Sequence, residues 1–364
     1  MALKNIFKPL YLAAQQKFFY NPPRGMLDIY ASAGICNRCG ACGQSCPSYK
    51  ALQGEIYSPR GRNQLIKFIL DRKIAQNTPR KELLEAAGTC ILCGACSAAC
   101  AAAAPTYKHV TEIKQTPGAA RGSAFKNVFL KRRLPKQPAR HKVCYLPSAA
   151  GIKRVKETLA IIQDALGPAY ILKTGLNLTQ SALTQSAAAY KKTLQNILAE
   201  YKTAGQSGPV VTENIEEYRL LKQAGEYGPE FEALAANAVF IASLIKRPAR
   251  IPQQWQDKKF ILQNNNTFFC GDGAQREIIN CPGGNFLLKL CVGAHAAGLM
   301  PYAKVKGADG IEKNLAAAIA AQRAQYLITL SFKEKLYLNK LLQKFYPYTK
   351  AIHITEFLNA PAKE

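Results

Sequence analysis

Eight of the twelve cysteines in this 364-residue chain fall into two copies of one pattern, CNRCGACGQSCP at Cys36, Cys39, Cys42 and Cys46 and CILCGACSAAC at Cys90, Cys93, Cys96 and Cys100. Three further cysteines at those offsets arise by chance at roughly 4 in 100,000 per cysteine, so the repetition is no accident. The spacing, C-x2-C-x2-C-x3-C, is the ligand ladder of a four-iron cubane. Three thiolates two residues apart wrap one cubane, while the fourth lies too far along to close the same cage easily and usually ligates the other cluster. Two runs therefore imply two [4Fe-4S] clusters and a fold built around them.

Two other uses of thiols fit less well. Structural zinc gathers its ligands from two separated pairs rather than from one eleven-residue run. A disulfide framework suits short secreted chains, whereas this chain is long, its other four cysteines are scattered, and its first residues do not look like a secretory signal. The expectation is reduced thiols in the cytoplasm.

The length, with 48% hydrophobic side chains, allows two or three ordinary domains. No apolar run approaches the roughly 18 residues that cross a bilayer. The formal net charge is +26. Residues 1–150 carry 23 Lys and Arg against 6 Asp and Glu, and the remainder 26 against 17, so the half with the cysteine runs is the more basic. Two oxidised cubanes with their thiolates carry about −4 and offset only part of that excess. The rest is either generic solubilising charge or a docking face for an acidic partner protein or anionic lipid. No nucleic-acid-binding motif accompanies it.

Along the chain, residues 1–25 read as an arm in which Leu3, Ile6, Phe7, Leu10 and Phe18 stand near helical spacing, interrupted at Pro9. Between the cysteine runs lie 43 residues. Leu65, Ile66, Ile69 and Leu70 mark one helical face over 63–74, and PRKELLEAAGTC carries a second helix into the second run, so residues 26–130 read as a helical domain. Ser58-Pro59-Arg60-Gly61-Arg62 reads as a helix start with Pro at an early position. Residues 131–142 read as a basic, proline-bearing linker. Beyond it the texture alternates. Strands are expected at 142–147, 169–173 and 209–212, with helices from Ile152 and Ser186; after a second linker at 247–259, strands are expected at 260–263, 267–270 and 326–330 and a helix at 311–323. Two similar α/β halves, 143–250 and 251–364, describe this economically.

The N-terminal third, from CNRCGACGQSCPSYK through SPRGR to the second run, resembles the iron–sulfur subunit of glycolate and lactate oxidases. It is also similar to the iron–sulfur subunits of anaerobic glycerol-3-phosphate dehydrogenase and heterodisulfide reductase. The resemblance implies a multidomain α plus α/β fold: a helical two-[4Fe-4S] ferredoxin domain followed by two related cysteine-rich α/β repeats. It implies that Cys36, Cys39 and Cys42 with Cys100 hold one cluster, and Cys90, Cys93 and Cys96 with Cys46 the other. It also implies electron transfer beside a flavoprotein dehydrogenase subunit acting on a 2-hydroxy acid or similar substrate, with delivery to a quinone or another carrier, in the cytoplasm or peripherally on the inner face of the membrane.

The chain departs from that family in its repeats. Pro147-Ser148-Ala149 stands where a Gly-Cys belongs, KTGLNLTQSAL from Lys173 and Val305 to Gly310 stand where Cys-Cys-Gly belongs, and no cysteine falls near Leu330 to Lys333. Cys270 alone keeps a ligand position, and Ala101 replaces the proline that follows the first run as Pro47. Cys144, Cys270, Cys281 and Cys291 read as small buried hydrophobes, with a third metal site from the last three and His295 as the alternative. The glycine-rich segments at 271–276 and 281–285 fit neither a dinucleotide fingerprint nor a phosphate loop, and His109, His141, His295 and His353 are too scattered for an acid–base set. The leading expectation is thus a non-catalytic electron-transfer subunit. The alternatives are a heterodisulfide-reductase-like enzyme and a redox-sensing or structural iron–sulfur protein.

Overall fold

A computed structural model describes residues 33–70, 79–102, 104, 106–114, 134–138, 140–176, 178–184, 187–205, 208–245, 255, 257–262, 285–286, 300 and 305–358. The expected N-terminal arm, the strand expected at 267–270, Cys270, Cys281, Cys291 and His295 lie outside these residues.

The region holding the cysteine runs is helical: α1 (Pro47–Leu52), α2 (Pro59–Leu70), α3 (Pro79–Gly88), α4 (Ala95–Ala98) and α5 (Thr106–Lys114). Helix α2 begins at Pro59, whose missing N–H costs nothing in the first turn, and the Ser58 hydroxyl accepts a hydrogen bond from the Gly61 N–H at 2.8 Å. Leu65 and Ile66 face inward from α2, Ala86 and Ala87 from α3, and Val110 and Ile113 from α5.

The remainder is α/β. The strands β1 (Val143–Leu146), β2 (Ala169–Ile171), β3 (Val210–Thr212) and β4 (Ala238–Phe240) form one parallel sheet in the order β2-β1-β3-β4. A second parallel sheet, from β5 (Lys259–Leu262), β6 (Asn285–Phe286), β7 (Tyr326–Thr329) and β8 (Lys350–His353), is ordered β6-β5-β7-β8. Central strands such as β1 are buried at every position, which is why VCYL carries no polar alternation: helices cover both faces of a parallel sheet. The covering helices include α6 (Val155–Leu166), α7 (Leu178–Thr184), α8 (Ala187–Thr203), α9 (Ile215–Lys222) and α10 (Glu232–Asn237) beside the first sheet, and α11 (Ala308–Ala321), α12 (Phe332–Phe345) and α13 (Ile354–Leu358) beside the second.

The second sheet takes part in two cores. On one side Phe260, Ile328 and Ile352 pack with Val143, Tyr145 and Val211 of the first sheet. On the other, Ile261, Leu327 and Ala351 share a core with Ile66, Ala86 and Ile91 of the helical region. Helix α11 lies so close to α1 that a Cβ on Gly310 would meet the Ala51 Cβ at 3.1 Å. Within the segment expected as a linker, the Gln137 carboxamide donates to the Ile171 carbonyl at 2.8 Å and accepts from its N–H at 2.9 Å. It occupies the open side of the edge strand β2, satisfying groups that an exposed edge leaves free.

Candidate metal centres

The two cysteine loops are backbone copies of one another. Arg38 and Gly40 in the first have φ of 63° and 81°, and Leu92 and Gly94 in the second have φ of 53° and 72°. Each loop thus turns left-handed at the residue before its second cysteine and again at the glycine after it, then tightens into a short helical turn, Ala41–Gly43 or Ala95–Ala98. A left-handed residue other than glycine costs roughly 1–2 kcal/mol, so it persists only where its surroundings hold it. Alternating hand makes successive N–H groups converge on one concavity, the kind of nest that receives anionic phosphate and iron–sulfur groups. Sulfur acceptors are already in place: the Leu92 N–H donates to Cys90 Sγ at 3.4 Å and the Ala104 N–H to Cys100 Sγ at 3.3 Å.

The thiols sort into two mixed groups. Burial, aided by the nearby Cys36 and Cys100, raises Cys42 above the ordinary thiol range. Burial does the same to Cys93, with Cys46, Cys96 and Cys90 close enough to add to it, and pushes Cys96 up to about 12, with Cys90 and Cys46 contributing. Cys100 from the second run therefore lies with the first, and Cys46 from the first run lies with the second. Cys39 is exposed, whereas Cys46 is buried. Among the described residues no three His, Cys, Asp or Glu side chains close into the shell of a metal ion. The thiolates of a cubane stand further apart, separated by the cube they hold.

Helix α2 is the seam between the groups, and each residue of SPRGR has a task there. The Arg60 N–H, free in the first turn of the helix, donates toward Cys42. The Arg60 side chain pairs with Glu55 at 2.7 Å and lies 3.4 Å from the Arg38 carbonyl of the first loop. At Gly61 a Cβ would collide with the Glu55 carbonyl, so the close approach of the preceding turn requires glycine. Arg62, 2% exposed, donates to the Ala86 carbonyl at 3.0 Å and Thr89 Oγ1 at 2.7 Å and places Nη1 3.9 Å from Cys46 Sγ. The ionisable side chains around it include the thiols of Cys90, Cys46 and Cys96.

This arrangement fits an anionic, thiolate-ligated cluster. A buried guanidinium needs a counter-charge, and protonated thiols supply none. Four thiolates around an oxidised cubane carry a net charge of about −2 and supply it. In the sequence, SPRGR reads as a helix start and as part of the family resemblance. Yet Arg62 stands three and four residues before the buried Leu65 and Ile66, so a charge on the apolar face was the available signal.

The sheet region uses its buried polar groups differently. Ser148, at the expected Gly-Cys position, follows β1 and is 3% exposed. Its N–H and hydroxyl donate to Glu213 Oε1 at 2.9 and 2.6 Å, while Tyr145 donates to Oε2 at 2.5 Å and Thr158 at 3.3 Å. Burial raises the Glu213 carboxyl and these donors pull it back down. The turn Lys173–Gly175 is held by Glu200, which accepts from the N–H groups of Lys173 and Thr174, each at 2.9 Å. Asn214 caps the start of α12 from across the molecule, accepting from the Phe332 N–H at 2.7 Å.

Cys144 lies fully buried in β1, its thiol pushed up to about 12 chiefly by burial. His109, His141 and His353 do not converge. His109 pairs with Asn63 at 3.0 Å and is pushed down to about 4 by burial, His141 bonds the Ala204 carbonyl at 2.9 Å, and His353 stacks on Phe332 with ring centroids 3.8 Å apart.

Fold and site together define an iron–sulfur protein in which a helical cluster domain is joined to parallel α/β sheets. Residues 32–104 match the family model of the 4Fe-4S dicluster domain. No curated protein matches the sequence. The chain is similar to a solved structure described as a hypothetical protein from Helicobacter pylori, with a TM-score of 0.52 and 12% identity over 100% of this chain and 76% of that one; the likeness is one of fold. Among the described residues no helix is long and apolar enough to cross a membrane.

Proposed function

We propose that this chain is an electron-relay subunit: it accepts single electrons from the reduced flavin of a dehydrogenase partner acting on a 2-hydroxy acid or similar substrate, and passes them to a quinone or another carrier. Cys36, Cys39, Cys42 and Cys100 hold one [4Fe-4S] cluster, and Cys90, Cys93, Cys96 and Cys46 the other. A bound cubane supplies a one-electron couple that cycles with little movement of its ligands. The chain's own residues hold the thiols in two sets on either side of α2, direct backbone N–H groups at sulfur, and bury one set more deeply than the other.

The observation that carries this reading is the crossed sorting of the thiols, with Cys100 beside Cys36 and Cys42 and Cys46 beside Cys90, Cys93 and Cys96. Substrate dehydrogenation needs a flavin or nicotinamide, and its site belongs to the partner. The two sheets, with their common strand order, we read as degenerate copies of one repeat whose ligand positions are now filled by hydrogen-bonded residues such as Ser148.

An anaerobic pull-down followed by addition of candidate 2-hydroxy acids tests the proposal. The expected result is a co-purifying flavoprotein through which substrate bleaches the cluster absorbance. Clusters that no such partner reduces, in a protein that binds nucleic acid with steep salt dependence, would replace the relay with a sensor.

A further inference from the structure

The two thiol sets face different cations. Beside the first, Arg60 is exposed, and its charge is already met by Glu55 at 2.7 Å. Beside the second, Arg62 is 2% exposed, and its hydrogen bonds to protein are to the neutral Ala86 carbonyl and Thr89 hydroxyl. Among the described residues no carboxylate forms an ion pair with it. Its charge is therefore uncancelled, unscreened by water and aimed at sulfur, with Nη1 3.9 Å from Cys46 Sγ. Coulomb attraction weakens with the local dielectric, so one unpaired buried cation outweighs a paired exposed one at similar range.

Reduction adds one negative charge to a cluster and breaks no bond. A fixed positive charge beside it stabilises the reduced form more than the oxidised form. We propose that Arg62 is a tuning residue: it raises the reduction potential of the cluster held by Cys46, Cys90, Cys93 and Cys96 while leaving the other cluster unaffected, so that an electron entering the chain settles on the buried side of α2. Arg62 acts through the electrostatics of the site rather than by ligating iron. The inference rests on the two-cluster reading given above.

The test is an EPR-monitored redox titration of the full chain, purified anaerobically with both clusters. Arg62→Gln is expected to lower one of the two one-electron steps at least tenfold in its equilibrium, about 59 mV, and to leave the other in place. Arg62→Lys, which keeps the charge, should stay near the parent protein. Arg62→Met, which keeps an unbranched apolar side chain and drops the charge, provides a second route; the same step should fall. That variant decides the matter if Arg62→Gln fails to assemble its clusters.

Steps that do not move, or that move together, overturn the tuning role. So does an Arg62→Lys variant whose steps shift as far as those of Arg62→Gln. A parent protein without iron and sulfide would instead overturn the cluster reading itself, so the two failures are distinguishable.

Discussion

In the helical region a guanidinium and several thiols are buried together, and no carboxylate among the described residues pairs with Arg62. In the sheet region a carboxylate is buried with its partners supplied, Glu213 accepting from Tyr145, Ser148 and Thr158. The first arrangement is complete only when something binds to it, because raised thiol pKa values and an unpaired cation are both relieved by a cluster that takes thiolates as ligands. The second is complete as it stands. Similar depth of burial thus has different outcomes at Arg62 and at Glu213, and what separates these two groups is whether the protein itself supplies the partner that the charge needs.

The largest effect that sharpens this contrast is iron removal. Chelation under anaerobic conditions should abolish hydrogen-exchange protection across 33–114, while the amides of β1 and β3 stay protected; equal loss in both regions would erase the distinction. Next in size is the loss of single ligands. Cys46→Ala and Cys93→Ala should each leave about four irons and remove the same EPR signal, and Cys42→Ala and Cys100→Ala should remove the other. If Cys46→Ala instead abolishes the signal lost in Cys42→Ala, the sets are not crossed.

In the sheet region, Glu213→Ala strands the donors of Tyr145 and Ser148. It should lower stability in chemical denaturation by about 3 kcal/mol with iron content unchanged. The last effect is absent at neutral pH and builds up only in acid. Burial holds the His353 imidazole down to about 3, with Lys335 and Arg154 adding to it. The unfolded chain takes up this proton first as pH falls, so its contribution is complete above about 6.5 and declines by about 1.4 kcal/mol per pH unit toward 3. His353→Asn should flatten that acid limb in stability measured against pH, and a limb of unchanged slope would assign it to other groups, among them His109.

Much of this was legible in the chain. The cysteine spacing marked the candidate ligands, and helical periodicity marked α2, α3 and α11, because both signals are local. Strands β4 and β8 were not anticipated. Ala238–Phe240 and Lys350–His353 are three or four residues long, and only pairing with β3 and β7 distinguishes them from neighbouring helix and loop. Arg62 was missed for a related reason. Its spacing placed it on the apolar face of α2, but its partners are Ala86, Thr89 and Cys46, and the thiols that answer its charge include two from the second run. A contact made across such separations has no periodic signature. The polar network at Glu213, built from residues as far apart as Tyr145 and Ser148 on one side and Glu213 on the other, escaped for the same cause.

The most direct measurement is iron and acid-labile sulfide per chain after anaerobic purification, with EPR of the reduced protein. The account predicts about eight of each and two interacting one-electron centres. A colourless protein carrying zinc in place of iron would contradict it.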